Sequence, residues 1–174
     1  MSGRHGERTV LPDDFEEPDI TVDALDTFCS RRTERGDYPL AESVEENALV
    51  YDGERIRTLL HDDADEVHLK KELCRVLRDG PGVFVVKRGF SDVSVVDRCT
   101  KVLREIITEE HSAGQGQGDH FGSNERVWNA LQKVCLKDPG LFIDYFGNPI
   151  LAAACEAWLG PAYQVTAQVN NVKP

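Results

Sequence analysis

Residues 162–174 read AYQVTAQVNNVKP, and their pattern governs how the rest of the chain is read. From Gln164 to Asn170 polar and apolar side chains alternate. Gln164, Thr166, Gln168 and Asn170 fall on one side, Val165, Ala167 and Val169 on the other. A period of two marks a half-buried β-strand. Its polar side can face solvent, as on an ordinary sheet. It can also line a barrel, where amides and a hydroxyl orient a small polar ligand by hydrogen bonds. No partner strand for it follows before Pro174, so it is expected to open a sheet that the sequence does not complete.

Upstream, the segment from residue 67 supplies elements that need such a sheet. VHLKKELCRVLRD places Val67, Leu69, Leu73, Val76 and Leu77 along one helical side and ends at Asp79, before Gly80. VFVVK follows the GPG break as an apolar run, predicting a buried strand over 83–87. Ser91 is placed to cap a helix reaching about residue 110, with Val93, Val96, Leu103, Ile106 and Ile107 as its stripe. A further helix is expected near 124–136 from the spacing of Val127, Trp128, Leu131, Val134 and Cys135. The last has Asn148 as cap, Pro149 in its first turn and Gly160 beyond its end. The predicted fold class is α+β, helices laid against a sheet.

Charge divides the chain unevenly. Of a net charge of −11, residues 1–66 hold 7 Lys/Arg against 19 Asp/Glu, and residues 67–174 hold 13 against 12. Residues 1–66 therefore read as an acidic, partly disordered extension, and 67–174 as the folded part. An acidic chain lacks the basic stripe of a nucleic-acid binder. No stretch has the length of a membrane span. The N-terminus, MSGRHGERTVLPDDFEEPD, lacks the apolar core of a secretory signal, so the expected setting is the cytoplasm. Five cysteines, at 29, 74, 99, 135 and 155, include no C-x-x-C pair and read as reduced thiols.

Candidate chemistry is sparse. GQGQG at 114–118 lacks the Gly-Lys-Ser/Thr of a phosphate loop and reads as a mobile loop. His61, Asp62 and Asp63 spell a His-x-Asp spacing, but they stand just ahead of a helix, whose start Asp favours. His111 and His120 flank the glycine loop, and Asp119 beside His120 does not converge with it on one metal. No metal site is complete in the sequence.

Four segments, in order, carry a resemblance: DGPGVFVVKRGFS (79–91), GDHFGSNERVWNALQKV (118–134), FGNPILAAACEAWLGP (146–161) and YQVTAQVNNVKP (163–174). Together they resemble the N-terminal half of the phytanoyl-CoA dioxygenase family, non-haem Fe(II), 2-oxoglutarate-dependent oxygenases. The resemblance implies a double-stranded β-helix (a jelly-roll, cupin-like fold) preceded by supporting helices. VFVVK would be an early strand of the major sheet, helices 91–110 and 149–159 would brace its outer surface, and the strand 163–172 would enter the barrel. Gln168 and Asn170 are then expected to position 2-oxoglutarate or substrate. The loop from Gly118 to Asn124 would lie over the mouth, with Asp119, His120 and Arg126 as further candidates.

The resemblance also implies what is missing. Such chains continue through a Pro-Gly turn to a His-x-Asp pair, a second His and an Arg that anchors 2-oxoglutarate; here Pro174 stands where that turn begins. The chain is thus expected to be an N-terminal fragment of an Fe(II)/2-oxoglutarate dioxygenase acting on a small-molecule substrate, without metal ligands or catalytic residues of its own and inactive alone. The other reading is a non-catalytic helical interaction module whose acidic arm binds a basic protein.

Overall fold

The computed structural model describes residues 21–114 and 125–171 of the 174-residue chain. The chain divides into two units, Met1–Arg32 and Thr33–Pro174. Within the first, the described residues form one helix, α1 (Val22–Cys29), which buries none of its residues.

The second unit begins with a hairpin. β1 (Ser43–Glu45) pairs antiparallel with β2 (Ala48–Asp52), Glu45 opposite Ala48. The two linking residues, Glu46 and Asn47, take φ of 48° and 68°. That is the two-residue turn whose twist matches its strands, with asparagine where a left-handed conformation costs least. Asn47 also holds the chain entering the unit: its Oδ1 accepts from the Thr33 N–H at 2.7 Å and its carbonyl from the Thr33 hydroxyl at 2.9 Å.

From β2 the chain crosses over through α2 (Gly53–Leu59) and α3 (Asp63–Arg78) to β3 (Phe84–Lys87), parallel to β2 with Leu49 opposite Phe84. Asp52 ends β2 and caps α2, accepting from the Glu54 N–H at 3.0 Å. Its carboxyl is held below the usual range, first by the Arg88 guanidinium that bonds it and then by the Glu54 amide. Asp62 caps α3 through the Ala64 and Asp65 amides, at 2.9 and 3.1 Å. The strand order β1-β2-β3 makes a three-stranded sheet, and the first core lies between it and the helices: Leu49, Tyr51, Ile56, Leu69, Leu73, Val76 and Ile150 are all buried in it.

Where α2 leaves the sheet, the backbone passes β3 closely. A Cβ on Gly53 would stand 2.2 Å from the Arg88 carbonyl oxygen. Because that neighbour is backbone, Gly53→Ala is expected to cost about 1–3 kcal/mol by forcing the crossover away from β3. A urea titration checks this, and an unchanged midpoint counts against the close approach.

The remaining elements surround a second core. α4 (Ser94–Ser112), α5 (Ala130–Lys137) and α6 (Pro139–Phe146) pack around Ile106, Ile107, Val127, Ala130 and Val134. Val127 belongs to β4 (Glu125–Val127), which pairs antiparallel with β5 (Val169–Asn171). A third cluster, Val95, Cys99 and Leu141, joins α4 to α6, with Phe90 stacked on Tyr145 at 5.5 Å between centroids. Burial pushes the Cys99 thiol up, away from reactivity. α7 (Pro149–Leu159) lies against α3, where Lys70 bridges Glu66 and Glu156. The mixed helix and sheet composition is as expected, in two small open sheets among the described residues. No helix among them is long and apolar enough to cross a membrane.

Several boundaries differ from the sequence reading. The break expected at 66/67 falls inside α3, and residues 33–66 supply half of the first core rather than a disordered extension. Their acidic residues sit largely on the outside, while Leu49, Val50 and Tyr51 are buried. Val67, expected on the inward stripe of α3, is half exposed; Glu72 takes the inward place beside Leu69, Leu73 and Val76. VFVVK is not buried on both sides: Val83 and Val85 are about half exposed, because β3 is an edge strand covered on one face. α4 starts later than expected, with Asp92 and not Ser91 holding its first turn through the Ser94 N–H at 2.9 Å. The helix expected over 124–136 is instead β4 followed by α5, because Asn129 takes a left-handed φ of 51° between them.

Candidate functional site

The β4–β5 ribbon is where the candidate residues meet. Its register puts Arg126 opposite Asn170 and Val127 opposite Val169. Val127 is wholly buried in the second core and Val169 packs against the same cluster. Side chains alternate along a strand, so Arg126 and Asn170 occupy the other face, away from the α4–α5–α6 helices. There the Arg126 Nε donates to the Asn170 Oδ1 at 3.1 Å. The Arg126 guanidinium also lies over the Trp128 ring, 5.5 Å from its centroid. That contact between a delocalised cation and an electron-rich ring is favourable and tolerates partial exposure.

Gln168 stands one residue before β5 and is half-buried; Asn170 is exposed. The strand expected over 163–172 is thus shorter than its alternation predicts. Gln164 and Thr166 lie outside β5 and are exposed, while the Ala167 carbonyl leaves the ribbon to accept from the Ala130 N–H at 2.7 Å. That bond ties the approach to β5 onto the start of α5.

The face therefore joins a guanidinium, an indole and the Asn170 amide. With its Oδ1 turned to Arg126, the Asn170 amide presents its NH₂ as donor. Cation and amide donors together suit a carboxylate or another small anion, held by charge-assisted hydrogen bonds, with the indole as an apolar wall. His111 Nε2 at the end of α4 stands 4.0 Å from the Glu125 Oε1, an ion pair only when the imidazole is protonated.

The other candidates are dispersed. His61 is exposed, Asp62 is the cap of α3, and Asp63 is its first residue, so HDD is a helix start. Asp119 and His120 lie outside the described residues. Among those described, no group of three His, Cys, Asp or Glu is placed to hold a metal ion. All five cysteines are free. The sequence reading missed Trp128, which it placed on a helical stripe; Glu-Arg-Val-Trp at 125–128 does not alternate polar with apolar, so no strand period marks it. It also missed Glu72, a carboxylate 3% exposed whose Oε1 accepts from the Tyr51 hydroxyl at 2.9 Å and whose Oε2 accepts from the Leu40 N–H at 3.3 Å. Compared with family models, curated proteins and solved structures, the chain finds no match.

Proposed function

We propose that this chain is the N-terminal part of an Fe(II)/2-oxoglutarate-dependent dioxygenase resembling phytanoyl-CoA dioxygenase, working in the cytoplasm on a small-molecule substrate. The observation that supports this best is the two-sidedness of the β4–β5 ribbon. Val127 and Val169 close onto a helical layer, while Arg126 and Asn170 share the opposite side. A strand of a double-stranded β-helix braced by helices has this polarity, apolar toward the brace and amide-bearing toward the lumen. On this reading Gln168 and Asn170, with Arg126 beside them, hold a carboxylate of 2-oxoglutarate or of substrate.

Two further features agree. Among the described residues β4 and β5 have only each other as partners, and a two-stranded ribbon is marginal in water by itself. α7 is apolar nearly all round, with Ile150 and Ala153 buried and Leu151, Trp158 and Leu159 half exposed, the pattern of a helix meant to be covered on more than one side. More strands, and with them the iron ligands, would come from sequence beyond these residues. When bound, iron would supply dioxygen activation; the residues described here would only orient what binds beside it.

The coding sequence downstream of codon 174 tests the proposal. It is expected to encode a Pro-Gly turn, a His-x-Asp pair and later a second His and an Arg. A stop codon there in related loci, with a stable product, would refute it. Incubated alone with Fe(II) and 2-oxoglutarate, the 174-residue chain is expected to form no succinate above the protein-free background. Succinate above that level would show that the iron site is already complete.

A further inference from the structure

We infer that α1 is a docking helix for another protein, one whose surface offers an apolar groove edged by lysine and arginine. The inference goes beyond the oxygenase reading and does not depend on it. Val22, Leu25 and Phe28, at i, i+3 and i+6, are 81%, 62% and 56% exposed, and Cys29 at i+7 is exposed beside them. At 100° per residue these four cover one side of the helix, and Asp23, Asp26 and Thr27 the other. Anchors at this spacing are how an amphipathic helix seats in a groove.

The helix is ready-made at both ends. The Thr21 hydroxyl accepts from the Ala24 N–H at 3.1 Å, and the Ser30 N–H closes the last turn on the Asp26 carbonyl at 2.9 Å. Eight residues are nevertheless few for a helix to stand alone in water, so its apolar side gains from a cover. Charge selects the cover. Residues 13–26 carry seven Asp and Glu and no Lys or Arg, and on α1 Asp26 borders the apolar side with Asp23 next to it. A basic rim is drawn to that pattern, whereas a second copy of this chain, at a net −11, and an anionic lipid surface are both repelled. Arg31, over the Phe28 ring at 4.9 Å, is the one cation described against the anchors.

The test places a benzophenone amino acid at position 25 of the full chain, in place of Leu25, and irradiates it in cells that normally make the protein. The control carries the same group in place of Thr27, on the acidic side. A protein adduct is expected from position 25 and not from position 27. The adduct partner is then purified and titrated with the full chain. Phe28→Ala is expected to weaken binding about tenfold or more, as loss of a central aromatic anchor does. Asp23→Asn with Asp26→Asn is expected to weaken it at low ionic strength, with the difference closing in high salt. The unfolding midpoint of the unit beginning at Thr33 should not move in Phe28→Ala. Equal adducts from both positions, adducts only between copies or with lipid, affinity indifferent to Phe28 or to the two acids, or a shifted midpoint would each overturn the inference.

Discussion

Replacing Glu72 with alanine is expected to lower the stability of the Thr33–Pro174 unit by about 2–4 kcal/mol, measured by urea or thermal unfolding. The carboxylate is 3% exposed in a core otherwise made of aliphatic side chains and tyrosine. It is tolerated there because both its oxygens accept hydrogen bonds, from Tyr51 and from the Leu40 amide. Truncation leaves both donors without their acceptor and opens a void between α3 and the sheet. Loss of the acceptor, more than loss of the charge, sets the cost. Glu72→Gln, which keeps an oxygen toward Tyr51, should therefore lose about 1 kcal/mol. The double variant Tyr51→Phe/Glu72→Leu should cost less than the sum of its single changes, since it removes donor and acceptor together.

Tyr51 gives the same pair a pH signature. Burial first, and then the hydrogen bond to Glu72, push its phenol well above the ordinary value of 10.0. A folded-state value raised above the unfolded one contributes stability that is present in full below pH 10 and lost as the pH rises beyond it. Tyr51→Phe should therefore flatten the alkaline fall in stability. An Glu72→Ala midpoint within about 0.5 kcal/mol of the parent would show that water replaces the carboxylate at no cost, and the buried pair would lose its role.

How much of this was legible in the sequence depended on whether the signal was local. α7 was readable in full, because Asn148, Pro149 and Gly160 each act on the turn where they stand. α6 carries the same opening, Asp138 capping Leu141 with Pro139 in the first turn, yet LFIDYF has too little polar face for a stripe to emerge. The β1–β2 hairpin was hidden by composition: the acids of 42–46 read as solvated chain, and the apolar run 48–51 was passed over. At Asn129, helical spacing of Val127, Trp128, Leu131 and Val134 was coincidental, and a single left-handed residue divided strand from helix. The candidate site was legible only as a list of residues. That Asn170 faces Arg126, 44 residues away, is a matter of register between distant segments, which no periodicity contains.

The two faces of the β4–β5 ribbon should respond oppositely to substitution. Val127→Asp puts a charge at a position 0% exposed, among Ile106, Ala130, Val134 and the adjoining Val169. The expected loss is about 3–5 kcal/mol, with early exchange of the β4 and β5 amides, because the ribbon's hold on the helices is this apolar contact. Arg126→Ala, one residue away, removes a partly exposed side chain whose contacts include the Asn170 hydrogen bond and the Trp128 ring, and should cost about 1 kcal/mol or less. Reversed magnitudes would mean that the guanidinium is scaffold and the faces are assigned the wrong way round. The expected asymmetry leaves Arg126 as a side chain that the fold positions without depending on it, which is the condition for using it on a ligand.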